Sequence, residues 1–209
     1  MPSSVVHVAV AGLLGTALLA DAFDARAILV VMAAAVVPDL DTFVGLVIPN
    51  AHRAAFHTFL LPAALALLLA YDLHVRESSW VESRWGRRGR RIAWVSLVTF
   101  TFAGSTLDLF TNGVNVLYPL HDQFYTFSGH VLVSSQRGFV QTIFQFPHTV
   151  VHTTANTHYS TPVNPTPGPT PKHVERIYPI ADTGVQFVLA VVGYSVVGFR
   201  LWEHRTHKG

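Results

Sequence analysis

Residues 25–41 read Ala-Arg-Ala-Ile-Leu-Val-Val-Met-Ala-Ala-Ala-Val-Val-Pro-Asp-Leu-Asp. An apolar run, Ala25–Val37, meets a proline and then two carboxylates separated by a single leucine. Pro38 lacks an amide donor and its ring collides with the preceding helical turn, so the helix is expected to stop there. Asp39 and Asp41 then project from irregular backbone at the end of a hydrophobic segment. At about 13 residues the run is short for a membrane crossing, which takes roughly 20 apolar residues in helical form.

Four further runs of the same kind flank it, at Val5–Ala20, Phe56–Leu73, Ile92–Leu107 and Val185–Trp202. The composition agrees. Of 209 residues, 50% are apolar and only 12% charged, with a mean hydropathy of +0.38. Soluble domains carry about 25% charged residues. A disordered chain, a basic nucleic-acid binder and an ordinary water-soluble enzyme are thereby excluded. The net charge of +2 is too small to indicate a polyanion partner. Cysteine is absent, which removes disulfides, a thiolate nucleophile and cysteine-rich zinc sites. The expected fold is all-α: a multi-pass membrane helix bundle of about five spans, one membrane domain over residues 1–209. The first run has no basic n-region and leads straight into the second, so it reads as a span rather than a secretion signal.

Orientation follows from Lys and Arg in short loops. Arg76, Arg84, Arg87, Arg88, Arg90 and Arg91 lie between the third and fourth runs, and Arg200, Arg205 and Lys208 follow the fifth. Five spans place both clusters on one side, expected to be the cytoplasm. The basic loop 76–91 then reads as a juxtamembrane signal that attracts anionic lipid, in preference to a nucleic-acid patch. The N-terminus, the Pro38–Ala55 loop and a long segment, Pro119–Gly184, face outward. Within that segment Thr153–Pro171 holds prolines at 162, 165, 167, 169 and 171 and is expected to form an extended loop. Phe124–Phe146 reads as a hairpin or a re-entrant piece.

The polar residues gather at one membrane level. His7 begins the first run, Asp39 and Asp41 end the second, His52, Arg53 and His57 precede the third, and Asp108 closes the fourth. By the expected topology all lie at the outer face. Imidazole nitrogen and carboxylate oxygen together suit a divalent metal: zinc first, then manganese or iron. Asp39 and Asp41, two apart, do not share a helix face, so a turn there lets one ligate while the other caps a helix or holds a histidine. Arg53 is placed either to accept a phosphate or carboxylate in bidentate fashion or to pair with Asp108 as a structural salt bridge. Taken singly, each residue is as well explained by a cap or an ion pair; their conjunction on one face indicates the metal. The outer segment adds His121, His130, His148, His152, His158 and His173, with His148 and His152 at ligand-competent i, i+4 spacing if helical.

The ordered set resembles the YdjM-type family. Its elements are a leading His7, Pro38-Asp39-Leu40-Asp41, His52-Arg53-x-x-x-His57, and Leu107-Asp108-Leu109-x-Thr111 followed by Gly113-Val-x-x-Leu-Tyr-Pro119. The resemblance covers roughly residues 1–122. Members are described as membrane-bound metal-dependent hydrolases and look like membrane relatives of zinc-dependent phospholipase C. The resemblance implies metal ligands at His7, Asp39 or Asp41, His57 and Asp108. Two departures matter. The family's His-Arg-Gly-x-Thr-His-Ser has Ala54, Phe56 and Thr58 here, and the family histidine four residues before the last Asp is replaced by Gly104. One imidazole is therefore missing, and His121 is a candidate replacement.

Two functions of different class follow. One is a membrane-bound hydrolase cleaving a phosphoester or lipid-derived substrate at the outer face, with Asp41, His52 and Arg53 as catalytic candidates. The other is a non-catalytic membrane protein with a degraded site and a partner-binding outer segment. A transporter is a third reading, disfavoured because the polar cluster sits at one end of the spans rather than at the midplane.

Overall fold

A computed structural model describes residues 3–129, 131–143, 151–166 and 173–206. All five apolar runs are helical. They become α1 (Ser4–Leu18), α2 (Ala25–Ala34), a bent continuation through a 3-10 turn at Pro38–Leu40 into α3 (Asp41–Val44), α4 (Leu60–His74) and α5 (Trp80–Thr99). After α5 come a π-helical turn at Phe100–Thr106, the short α6 (Leu107–Leu109) and finally α7 (Gly184–Thr206). Two segments are long and apolar enough to cross a membrane alone, Trp80–Leu109 and Gly184–Thr206. The pair α2–α3, bent by 48°, makes a third if taken as one broken span. α1 and α4 have 15 residues each, about 22 Å at 1.5 Å per residue, short of the hydrocarbon thickness of about 30 Å.

The boundaries have local causes. Ser3 and Asp24 cap α1 and α2 by accepting from the amides of Val6 and Ala27. Ser79 caps α5 by accepting from Glu82 N at 3.0 Å. The second run stops at Ala34, before Pro38: the 3-10 turn that Pro38 opens has already tightened the backbone, and Asp41, not Pro38, begins the next helix.

Packing sets which surfaces meet. α7 runs parallel to α1, and glycine makes the approach close: a Cβ on Gly193 would lie 2.5 Å from the Ala9 carbonyl oxygen, and one on Gly12 would meet Val197. Small residues at such contacts are how helices associate when lipid supplies no hydrophobic drive. α2 and α5 pack through Val31, Val95 and the Thr99 hydroxyl, which donates to Val31 O at 3.0 Å. The outward faces carry Leu67, Leu68, Phe187, Val188, Phe199 and Trp202, all exposed. A belt of exposed apolar side chains around a helical bundle is the surface of a membrane protein.

The two ends of the bundle differ. At one, Arg91 donates to Leu18 O at 2.8 Å and pairs with Asp21, and Arg88 pairs with Asp24. At the other lie His7, Asp39, Asp41, His57 and Asp108. Residues 124–143 include a two-stranded antiparallel hairpin, β1 (Val131–Ser134) with β2 (Gly138–Gln141), which settles the alternative left open above.

The described part of the proline-rich segment, 153–166, holds no helix or strand and is fastened to the site end. Thr161 bonds Thr42 at 2.6 Å, Asn164 donates to Gly45 O at 3.1 Å, and Asn50 donates to Thr154 O at 2.7 Å. Its threonines and asparagines satisfy loop backbone that a hydrophobic core could not. Asp122 holds the segment's start by accepting from Thr154 N and the Thr154 hydroxyl.

Candidate functional site

Asp41 organises the site. It is fully buried at the first residue of α3, and both of its oxygens are engaged. Oδ1 accepts from His52 Nδ1 at 2.6 Å, and Oδ2 accepts from His57 Nδ1 at 2.8 Å. The amides of Arg53 and Phe56 donate to the same Oδ2 at 3.0 and 3.3 Å. The connection from α3 to α4 is therefore wrapped around one carboxylate. Buried Ala51 and Ala54 let it pass close, and Arg53 sits at a φ of 64°, an uncommon conformation for a non-glycine residue.

His7 reaches the same region from α1. Its Nδ1 bonds the carbonyl of Ala103, inside the π-helical turn of the fourth run. A π turn shifts the hydrogen-bond register, and such turns recur at functional sites. Asp108 follows one turn later and accepts from Arg53 Nη2 at 2.8 Å.

The second nitrogens of the three imidazoles share one property. The Nε2 atoms of His7, His52 and His57 are buried, and that of His52 has no hydrogen-bond partner among the described residues. His57 Nε2 lies 3.1 Å from Asp108 Oδ2 and 3.6 Å from Asp39 Oδ1, and His7 Nε2 lies 3.7 Å from Asp108 Oδ1. Buried polar atoms normally have partners, and leaving one without costs about 1–3 kcal/mol. Among the described residues, two groups have ligand atoms mutually within 4.8 Å, as a metal ion requires: His7, Asp39 and Asp108, and Asp41, His52 and His57. The donor set, imidazole nitrogen with carboxylate oxygen, is that of a divalent transition metal.

Arg53 lies beside the same carboxylate, Asp108. It is fully buried, donates to Asp108 and to Gly113 O at 3.3 Å, and has the Tyr159 ring 4.9 Å from its guanidinium carbon. The salt-bridge alternative for Arg53 and Asp108 is the one observed. Tyr159 comes from the outer segment, and its hydroxyl donates to Asn112 O at 2.6 Å. Burial raises its phenol above the ordinary tyrosine range.

His121 is not part of this constellation. It is exposed and bonds Gln123 at 3.1 Å, whereas His52 groups with Asp41 and His57. His152 and His158 are likewise in the outer segment, bonded to Thr157 and Asn50, while His130 and His148 lie outside the described residues. Gly104 packs against the turn before Asp39, where a Cβ would come within 2.8 Å of Pro38 Cγ and 3.0 Å of Ala35 O. Sequence reasoning missed Tyr159 and the Ala103 carbonyl, and nothing in the sequence marked either.

A cleft of about 420 Å³ opens onto the site from the outer-segment side. Asp39 and His52 form its floor, with Ser4, Thr42, Thr161 and Tyr178 among its walls. Ser4 donates to Asp39.

A mostly helical membrane bundle with a buried His/Asp cluster under a polar cleft is the class of protein defined by this geometry. The chain belongs to the YdjM inner membrane protein family, whose family model matches residues 1–202. The match extends well past residue 122, so the outer segment and α7 are family features. Neither the curated proteins nor the solved structures compared with the chain give a match.

Proposed function

We propose that the protein is a membrane-bound metal-dependent hydrolase acting on a phosphoester or lipid-derived substrate. The observation that carries this reading is the shared arrangement of the three histidines. Each is held at Nδ1, by Asp41 or by the Ala103 carbonyl, and each buries its Nε2, those of His7 and His57 beside the Asp108 carboxylate. Metal-ligating histidines are oriented in this way, with the second nitrogen donating to a carboxylate or carbonyl.

His7, His57, Asp39 and Asp108 would hold the metal, zinc first and manganese or iron next. Asp41, with its oxygens already engaged, keeps His52 and His57 in the Nδ1–H tautomer. A divalent metal bound there supplies Lewis acidity toward a phosphoryl oxygen and a nucleophile usable near neutral pH. The chain's own groups do the rest. His52, at the cleft floor, is placed to exchange a proton with a bound substrate, with Asp41 stabilising its charged form. Arg53 keeps Asp108 oriented. Membrane lipid supplies the surroundings and a source of substrate. With five spans, the site end faces outward and the Arg-rich loop and C-terminus face the cytoplasm.

Metal per chain in detergent-purified protein, wild type beside Asp108→Ala, tests the reading. About one metal or more in the wild type and its loss in the variant are expected. Absence of metal after incubation with zinc and manganese refutes it. A second reading, a structural descendant with a degraded site, is favoured by one observation: Gly104 stands where the family carries an imidazole, and Pro38 fills that space. Release of alcohol and phosphomonoester from a phosphodiester panel by the metal-loaded wild type decides between the two.

A further inference from the structure

Two cavities on the lipid-facing side of the bundle share their lining at Ala93 and Ser96. The larger, about 1030 Å³, lies at the arginine-rich end between α2 and the start of α5, with Arg26, Arg88, Trp80 and Trp85 at its rim. The smaller, about 590 Å³, continues between α2, α4 and α5 to Val37, Phe56 and Phe100. With Ala93 and Ser96 common to both, the two adjoin along α5 as one candidate groove. From Arg88, past the break at Gly86, to Phe100 their linings extend about 18 Å at the helical rise. One leaflet is about half of the ~30 Å hydrocarbon core, so the groove exceeds the depth of a single leaflet.

The two ends of this groove differ chemically. Its inner course is apolar, walled by Leu65, Leu69 and Leu97. Its mouth is cationic and aromatic. Arg88 is met by Asp24, but Arg26 is exposed with no carboxylate partner among the described residues, and Arg84 and Arg87 stand on the same stretch of α5 in the same condition. The tryptophan rings stack edge to face at 4.9 Å between centroids. The turn that carries them is held in place. Asp72 accepts from Trp80 N, Val81 N and the Ser79 hydroxyl, and the left-handed Gly86, φ 64°, redirects the chain below Trp85. Tryptophan pairs prefer the headgroup level, and arginines beside them attract anionic headgroups.

We propose that this groove is a binding site for an anionic phospholipid. The headgroup lies against Arg26 and Arg88, and an acyl chain follows α5 past Ala93 and Ser96 toward Phe56. Charge complementarity at the mouth and the unbroken apolar course below it identify the occupant. The groove ends beside the loop that holds His57, so a bound chain also braces that loop from the side away from the cleft. The site is separate from the His/Asp cluster and does not rest on the hydrolase reading.

The test uses full-length protein stripped of lipid in mild detergent, with phosphatidylglycerol and phosphatidylcholine of identical chains as probes. Native mass spectrometry and thermal unfolding give the affinities. Wild type is expected to prefer phosphatidylglycerol by about tenfold, a preference that arginines at the mouth can supply. Arg26→Gln, an exposed change that leaves the fold intact, should shrink the preference several-fold. Ala93→Trp should fill the shared waist and displace both lipids. Equal affinity for the two lipids in the wild type overturns the proposal, as does a folded Ala93→Trp protein that retains phosphatidylglycerol unchanged. If Ala93→Trp does not fold, the wild-type and Arg26→Gln comparison decides alone.

Discussion

Asp41 accepts a 2.8 Å hydrogen bond from His57 Nδ1, and the same carboxylate holds His52 at 2.6 Å. One acid buried in the first turn of a four-residue helix thus sets the tautomers of two imidazoles. Replacing it with an amide breaks the symmetry of that arrangement. In Asp41→Asn the side-chain NH2 must face one ring, which then has to accept at Nδ1 and carry its proton on Nε2. Metal affinity is expected to fall about 10–100-fold, the usual cost of losing a group that orients a ligand. Titration of the apo protein with zinc measures it. Wild-type affinity in the variant sinks the orienting role.

Arg53 and Asp108 form a buried pair at 2.8 Å. Removing the cation leaves a carboxylate without its main partner, so Arg53→Met should destabilise the protein by about 3–5 kcal/mol in the metal-free state. Lysine cannot reproduce the contacts to both Asp108 and Gly113 O, so Arg53→Lys should recover only part of the loss. Denaturant unfolding with and without metal measures both. If substrate binding is the main role of Arg53, stability holds and only turnover suffers, the opposite outcome.

Gly104 is closed to side chains by Pro38 and the Ala35 carbonyl. Both Gly104→Ala and Gly104→His should destabilise by about 1–3 kcal/mol, as over-packing does, with histidine the worse. Restoring the family's imidazole is therefore expected to lower metal retention rather than raise it. A Gly104→His protein with wild-type melting temperature and tighter metal would show that the turn at Pro38 yields.

Asp122 ties the outer segment to the Asn115 loop. Burial opposes its ionisation, yet hydrogen bonds from Thr154 and Asn115 hold its carboxyl below the usual range. A depressed folded value means that the contribution is complete above the unfolded pKa of about 3.9 and is lost as pH falls through the folded value. Protease cleavage within 151–166 should therefore be flat between about pH 5 and 8 and accelerate only in stronger acid. Asp122→Asn should show the accelerated rate at neutral pH. Limited proteolysis across that range measures it.

The positions of the five apolar helices were legible in the sequence, because hydropathy and chain length act locally. Pro38 is a local signal too, and the gathering of His7, Asp39, Asp41, His57 and Asp108 at one end of the bundle followed from their places at the ends of successive apolar runs. What each residue does there depends on distances across the fold. Whether Asp41 binds a metal or two histidines, and whether Arg53 meets a substrate or Asp108, is decided by how the 50–59 loop closes on α3. No periodicity encodes that closure. The same holds for the place of His52 beside Asp41, and for Tyr159, brought over Arg53 by side-chain hydrogen bonds from a segment rich in Thr, Pro and Asn. Hydrophobic pattern determined the bundle because burial scales with local composition; the partners inside the site came from tertiary packing, because a buried polar atom must find its complement wherever the chain supplies one.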